Sequence, residues 1–408
     1  MEAVDPTRDI QSKTRLTLPR VGIVCDLLQE NWPSMDLYGD MLLKNLEENH
    51  AGRFRAERLR PDYKRHWANA ARGPVRLTDT AERALNRFVK YPRWLARQME
   101  HFDLFHVVDH SYAHLVHVLP PERTVITCHD TDAFRCLLEP GRSAGSRFRQ
   151  RITMRLLSGL QKAAWVTCNS QATADELLAQ GWAHPERTSV IHYGVAPVFS
   201  SSVDPSADQE AERLLGTHAR GIKLLHVSST IPRKRIDILL HVLAEAKKAF
   251  PDTSLLRVGG PFTADQKALM QRLGVSASVL ELPFLEDRVL AAVYRKSTLL
   301  LLPSDREGFG LPLLEAMACG LPVVVSDLPP FREVGGEAAL YCTAGNVEDF
   351  FRTTLSVIGA AQAQSSELAQ RRNAGLERAS QFSWSKGADE AAKIYEKVLS
   401  RTKLILDQ

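Results

Sequence analysis

With 408 residues, 44% of them hydrophobic, the chain can bury two ordinary α/β cores and is too long for one compact domain. Residues 1–20 are polar with no apolar core of signal-peptide length, and no apolar run elsewhere is long enough to cross a bilayer, so a cytoplasmic protein is expected. Six cysteines without a framework spacing, set against a formal net charge of +4, read as reduced core residues and exclude a disulfide scaffold.

In chain order, strand-like apolar runs occupy 21–25, 104–108, 124–127, 165–168 and 189–192, with intervals mostly long enough for crossover helices. The first run leads into Cys25-Asp26-Leu27-Leu28-Gln29-Glu30-Asn31-Trp32-Pro33-Ser34-Met35-Asp36, where Trp32 is expected to pack and Asp36 is a candidate contact. Segment 53–97 then holds thirteen basic residues against four acidic ones, a local balance of +9 that leaves −5 for everything else. Within it Leu77, Ala81, Leu85 and Phe88 share one helical face, Arg83, Arg87 and Lys90 another, and Tyr91-Pro92-Arg93-Trp94-Leu95 follows. Basic charge interleaved with aromatics suits an anionic membrane surface, or simply a solvated helix capping the first domain. No nucleic-acid-binding motif accompanies it, so nucleic acid is not an expected partner.

The strand at 104–108 ends at Asp109 and His110, and that at 124–127 at Cys128-His129-Asp130. Polar pairs thus stand at the carboxyl edge of a sheet, where α/β proteins bind ligands. His106, His110, His114 and His117 recur at near-helical intervals, but His106 falls in a strand, so the four cannot share a helical face and zinc is not expected. Asp130-Thr131-Asp132 has an Asp-x-Asp form that arises readily by chance.

A polar stretch over 196–210, with Pro197, Ser200, Ser201, Ser202, Pro205 and Ser206, marks a linker. Beyond it, strands are expected at 223–227, 254–258, 279–282, 299–302, 323–325 and 339–341, giving a second parallel sheet and a cleft between two doubly wound domains. Leu224-Leu225-His226-Val227-Ser228-Ser229-Thr230-Ile231-Pro232-Arg233-Lys234 sets two cations before an amphipathic helix, where a bound anion would relieve their conflict with the helix dipole. From Leu299 the chain reads strand, Pro303-Ser304-Asp305-Arg306-Glu307-Gly308-Phe309-Gly310, a short helix entered through Leu311-Pro312-Leu313-Leu314-Glu315, then Gly320 and the strand Pro322-Val323-Val324-Val325-Ser326. Free amides at that helix start attract phosphate, and Glu307 and Glu315 on either side suit the hydroxyls of two sugars, the hexose and ribose of a nucleotide-sugar. A surface loop with two solvated acids is the plain alternative.

The glutamate pair, with Ala316-Met317-Ala318-Cys319-Gly320-Leu321-Pro322-Val323-Val324, resembles the signature of retaining family 4 glycosyltransferases of the GT-B fold, firmly over 222–341 and more loosely before Thr124. The resemblance implies an α/β GT-B protein with two Rossmann-like domains: residues 1–197 for the acceptor, 198–383 for the nucleotide-sugar, and 384–408 as a helix crossing back to the first. It implies donor binding by Arg233, Lys234, Gly308, Phe309, Gly310, Leu311 and Glu315, with Lys234 on the diphosphate, and nucleobase contacts near Pro283, Phe284 and Leu285. Asp327 and Glu333 fall near the family's second acidic position, although Asp327 reads equally as a helix cap. His129 resembles the histidine that approaches the transferred sugar, which makes Glu307 and His129 the candidate catalytic residues. Asp109, His110 and Asp130 are candidate acceptor or sugar contacts. The family neutralises charge with lysine, arginine and helix amides, so no obligatory metal or other cofactor is expected.

Two departures stand out: Ser228-Ser229 replaces a glycine, and in some relatives an arginine, in the turn before Lys234, and the first loop lacks the glycine-rich sequence many members have. The expected activity is retaining transfer of a hexose from a nucleoside-diphosphate sugar to a hydroxyl acceptor, either a glycan or a lipid-linked one. Its expected setting is bacterial cell-surface or exopolysaccharide synthesis, in the cytoplasm or at the inner face of the plasma membrane. A nucleotide-sugar hydrolase or epimerase on the same fold, and a non-catalytic sugar-nucleotide-binding scaffold, are the rival readings.

Overall fold

The computed structural model describes residues 18–64, 75–138 and 147–406. The readings made of residues 1–17 and 65–74, and of the Leu77 side chain, lie outside the described residues. Two six-stranded parallel sheets dominate. The first contains β1 (Arg20–Val24), β2 (Arg55–Leu59), β3 (Leu104–Val107), β4 (Thr124–Cys128), β5 (Trp165–Cys168) and β6 (Thr188–Val190), in the order β2-β1-β3-β4-β5-β6. The second contains β7 (Lys223–Val227), β8 (Ser254–Val258), β9 (Val279–Leu282), β10 (Leu299–Leu302), β11 (Val323–Ser326) and β12 (Leu340–Cys342), in the order β12-β11-β10-β7-β8-β9. This is the expected α/β architecture of two doubly wound units.

Burial explains which strands the sequence announces. The strands β3, β4, β5, β8, β10 and β11 are buried along their whole length, so they read as mainly apolar or β-branched runs, with His106 in β3 and Arg257 in β8 as buried exceptions. Strand β2, Arg-Ala-Glu-Arg-Leu, went unpredicted. It lies at a sheet edge, buries only Ala56 and Leu59, and places Glu57 against Arg20 of β1 at 3.0 Å, so its charges mask its period.

The helix Trp384–Leu406 follows the second unit but packs on the helix Pro33–His50 of the first. Tyr395, fully buried in it, bonds His106 Nδ1 at 2.6 Å, and Asp389 and Glu396 take His50 (2.9 Å) and Arg53 (2.6 Å). All six cysteines are free, five of them buried. No described helix is long and apolar enough to cross a membrane.

The basic segment is less solvated than its composition suggests. Arg53, Arg58 and Arg60 pair with Glu396, Asp40 and Asp36. Arg87, expected on an outward face, is tucked against Glu30 at 3.5 Å and over the Tyr112 ring at 4.2 Å. Trp32 departs from expectation the other way: it precedes the helix Pro33–His50 and remains 54% exposed instead of packing.

Candidate functional site

Strands β7 and β10 are neighbours, so the loops that follow them meet at the carboxyl edge of the second sheet. The Asp305 amide donates to the Arg233 carbonyl at 2.8 Å and stitches the two loops together. After β7, Pro232–Lys234 makes one 3-10 turn, and Arg235 adopts a left-handed conformation (φ 50°) before the helix Ile236–Ala249. Arg235 reaches back to Asp237 (2.8 Å) and across to Asp305 (3.0 Å), which fixes the direction of the turn. After β10, Gly310 (φ 109°) leads into the helix Leu311–Ala318, with Pro312 as its second residue. A side chain at Gly310 would also strike the Phe331 ring.

Glu307 sits where these loops converge. Its carboxylate receives Lys234 Nζ at 2.6 and 2.8 Å, Ser304 Oγ at 2.7 Å and Arg233 at 3.3 Å. Burial alone would raise its carboxyl, but Lys234 and Arg233 outweigh burial and hold it below the usual glutamate range. Glu315 differs in kind. On the helix Leu311–Ala318 its only charged influence is a second acid, Asp287, and burial pushes it up to about 7 despite the 2.8 Å bond donated by Tyr294. One glutamate is locked as an anion, and the other is poised to change charge near neutrality.

The first unit closes over these loops. Its strand ends β3, β4 and β5 present Asp109, His110, His129, Asp130 and Ser170. Ser170 Oγ donates to the Gly308 carbonyl at 2.7 Å, and a Cβ on Gly308 would lie 1.9 Å from the His129 carbonyl oxygen. Arg233 meets Asp132 at 3.0 Å and Asp130 at 3.7 Å, while Arg306 meets Asp132 at 3.2 Å. Glu333, on the helix Pro329–Gly335, crosses to the first unit and accepts from the Gln171 amide (2.7 Å), the Ala172 amide (3.3 Å) and His192 (2.6 Å). A cleft of about 370 Å³ lies between the units, bounded by Asp130, Asp132, Arg233, Arg306 and Glu307.

The predicted residues therefore gather, though not all in the expected posture. His129 is 4% exposed, and both ring nitrogens are engaged within the first unit, Nε2 with the Val108 carbonyl at 2.5 Å and Nδ1 with the Tyr193 hydroxyl. Burial lowers its pKa to about 4, so the ring is neutral. What it turns toward the second unit is its backbone carbonyl. His110 lies between Asp109 (3.3 Å) and Asp130 (3.6 Å), and its Nδ1 accepts the His129 amide at 3.3 Å. Asp109 caps the turn that follows by accepting from the Ser111 amide at 2.8 Å. It faces Asp26, whose carboxyl burial and the neighbouring charge push well above the usual range, so Asp26 keeps its proton and Asp109 the charge.

Phe309 is buried against Tyr193, His192 and Phe382, and so anchors the glycine loop as much as it lines it. Phe284 is 64% exposed beyond β9. Asp327 pairs with Arg332 at 2.6 Å, and Leu328, not Asp327, is the cap of the following helix. Among the described residues no group of three or more His, Cys, Asp or Glu side chains is placed to hold a metal ion.

Asp132, Ser170, Tyr193 and Tyr294 were missed as site residues. Ser170 carried a signal, since it stands as N-cap of the helix Gln171–Ala179 directly after a strand. The two tyrosines carried none, because their partners lie 64 and 21 residues away.

Two family models match: Glycosyltransferase Family 4 over residues 47–199 and Glycosyl transferases group 1 over residues 209–358. The chain belongs to the family 4 glycosyltransferases. The boundary between the matches, 199–209, falls at the passage from the first sheet to the second. D-inositol 3-phosphate glycosyltransferases of Mycobacterium sp. (strain JLS) and Rhodococcus opacus are 33% and 32% identical to this family 4 chain over 224 and 241 residues, 53% and 56% of it. The chain spans about half the length of these curated relatives, 48% and 52%. Among solved structures, the fold is shared with a sucrose-phosphate synthase from Thermosynechococcus elongatus (TM-score 0.70, 18% identity, 94% of this chain and 100% of that one). It is shared equally with Anabaena HepE in complex with UDP and glucose (TM-score 0.69, 19% identity, 93% and 100%).

Proposed function

We propose that this family 4 glycosyltransferase moves a hexose from a nucleoside-diphosphate sugar to a hydroxyl acceptor with retention of configuration. The carrying observation is the Lys234–Glu307–Arg233 cluster, held by the β7 and β10 loops beside the start of the helix Leu311–Ala318 and facing the first unit across the cleft. In this reading Arg233, Lys234 and the amides of Gly308, Phe309, Gly310 and Leu311 bind the diphosphate, and Glu315 takes the ribose hydroxyls. Glu307 orients the hexose while its lysine partner stabilises the departing phosphate. His129 acts through its backbone carbonyl and its hold on Tyr193, with Asp109, His110 and Asp130 toward the acceptor. Charge neutralisation by cations and amides makes a metal dispensable. HepE, a structural neighbour, is described with UDP and UDP-glucose, which supports a nucleotide-sugar donor here.

The acceptor is a glycan or a lipid-linked molecule of cell-surface polysaccharide synthesis, met at the inner face of the membrane. The helix Arg147–Lys162 supports that setting: it carries five cations and no acid, with Phe148 70% and Met154 53% exposed. Calorimetric titration with UDP-, GDP- and ADP-sugars in EDTA tests the donor site. Micromolar binding of one nucleotide class, weakened in Lys234→Ala, is expected; no binding of any class overturns the reading. The anomeric configuration of the product tests retention.

A further inference from the structure

Arg257, on β8 next to the edge strand of the second sheet, is the largest fully buried side chain among the described residues at 1% exposure. None of its three guanidinium nitrogens has a hydrogen-bond partner among the described residues. Other buried cations are provided for: Lys223 has the Ala219 and Gly221 carbonyls, and Arg295 has Asp208 at 2.6 Å. Its guanidinium stands over the Phe262 ring at 5.7 Å, but taking it out of water without hydrogen-bond partners is costly, and a thioether or aliphatic chain of similar volume would fill the space without that cost. Burial lowers its pKa to about 10, so the charge persists at neutral pH.

Its location gives the charge a use. The side chain lies on the sheet face shared with His226 of β7 and Glu281 of β9, its register partners. Glu281, the one acid near it, is turned outward and accepts the Phe262 amide at 3.2 Å. One NH2 group reaches up to the carboxyl edge, so that a Cβ on Gly259 (φ 129°) would meet it at 2.8 Å and the Ser228 carbonyl at 2.2 Å. His226, fully buried with both ring nitrogens unpartnered among the described residues, is held neutral by burial and by the fields of Arg257 and Lys234. The turn above is Ser228-Ser229-Thr230, which carries no cation of its own. Lys234 and Arg233 are already matched by Glu307, Asp130 and Asp132. Arg257 is therefore the cation beneath the phosphate-facing turn whose charge no contacting carboxylate neutralises.

We infer that Arg257 is a positioning residue of the donor site, supplying from beneath the Ser228–Lys234 turn the positive field that holds the second phosphate of a nucleoside diphosphate. This rests on the donor-site reading above. It acts through space and through the Ser228 and Gly259 backbone, without touching the nucleotide.

The test compares UDP with UMP, or GDP with GMP if guanine is the base bound, by calorimetry on the full chain at fixed ionic strength. The ratio of diphosphate to monophosphate affinity reads the second phosphate alone. Arg257→Met is expected to lower that ratio about fivefold with monophosphate affinity unchanged and with a melting temperature no lower than wild type. Arg257→Lys, which keeps the charge, is expected to retain most of the ratio. An unchanged ratio in Arg257→Met overturns the inference, as does a variant that melts earlier or fails to fold, since either marks a packing role. If the ratio falls in Lys234→Ala and not in Arg257→Met, the donor reading stands and this inference fails. A wild-type chain that binds no nucleotide removes both.

Discussion

The two sides of the cleft are built differently. On the second unit the site is made by short-range means: Lys234 and Arg235 open one helix, Glu307, Gly308 and Gly310 lead into another, and adjacency of β7 and β10 brings the loops together. On the first unit, Asp109, His110 and His129 sit in loops whose side chains are buried and bound to distant partners, so that His129 answers to Val108 and Tyr193 and His106 to Thr127 and Tyr395. The cluster on the second unit is part-buried, and its charges are matched to one another, Glu307 to Lys234 and Arg233. The first unit offers the His129 carbonyl, the buried neutral rings of His106 and His129, and the carboxylates of Asp109, Asp130 and Asp132. Binding chemistry can therefore be read from one side, and closure and shape are set by the other.

The contrast is broken most forcefully at Glu307. Glu307→Ala is expected to cut transfer turnover about 1,000-fold while leaving a folded chain, checked by initial rates beside near-ultraviolet circular dichroism. Full activity in that variant would remove Glu307 from the site. Gly308→Ala attacks the contact between the sides: its methyl group cannot coexist with the His129 carbonyl, so the units must part. Turnover should fall about 100-fold and small-angle scattering should show a more open particle, whereas each unit keeps its own melting behaviour.

Titration separates the sides by sign. Glu315 holds its proton up to about pH 7 when folded and only to 4.5 otherwise, so its contribution lowers stability as pH rises through that window. As an anion it is the better acceptor of hydroxyls, so nucleotide affinity should rise severalfold through pH 7 and become flat in Glu315→Gln. The buried histidines act oppositely. His106 and His129 have pKa values lowered to about 3 and 4 from 6.5, so the unfolded chain takes protons first and stability is lost as pH falls below 6.5. Thermal melts across pH 4 to 7 should show this acid loss, reduced in His106→Gln.

The smallest effect is expected at Asp132. Removing its pairs with Arg233 and Arg306 releases two cations for the diphosphate at the cost of partly exposed ion pairs, so Asp132→Ala should bind nucleoside diphosphate about threefold more tightly. Weaker binding would mean that Asp132 orients Arg233 and does not compete for it.

How much could be read beforehand follows the same division. The buried central strands, such as Leu-Leu-Leu-Leu in β10, were legible because a strand covered on both faces must be apolar throughout, whereas β2 was hidden because an edge can carry Arg55, Glu57 and Arg58. The glycine loop and its two glutamates were legible because a strand, a phosphate-sized turn and a helix start are consecutive in the chain. Their unlike states were not: Glu307 and Glu315 are eight residues apart on one segment, yet Lys234 holds one as an anion, while burial and the neighbouring Asp287 push the other up to about 7.

By itself, the amino-acid sequence determined two parallel α/β units and the glycine loop that carries the family's signature, because each depends on neighbours in the chain and on hydrophobic period. Only the tertiary structure decided that His129 would be buried with both nitrogens spent, that Asp132 would meet Arg233 and Arg306, and that Arg257 would lie under the Ser228 turn with no hydrogen-bond partner among the described residues. Those outcomes depend on which side chains arrive from as far as 174 residues away, and on the dielectric they share once water has been excluded.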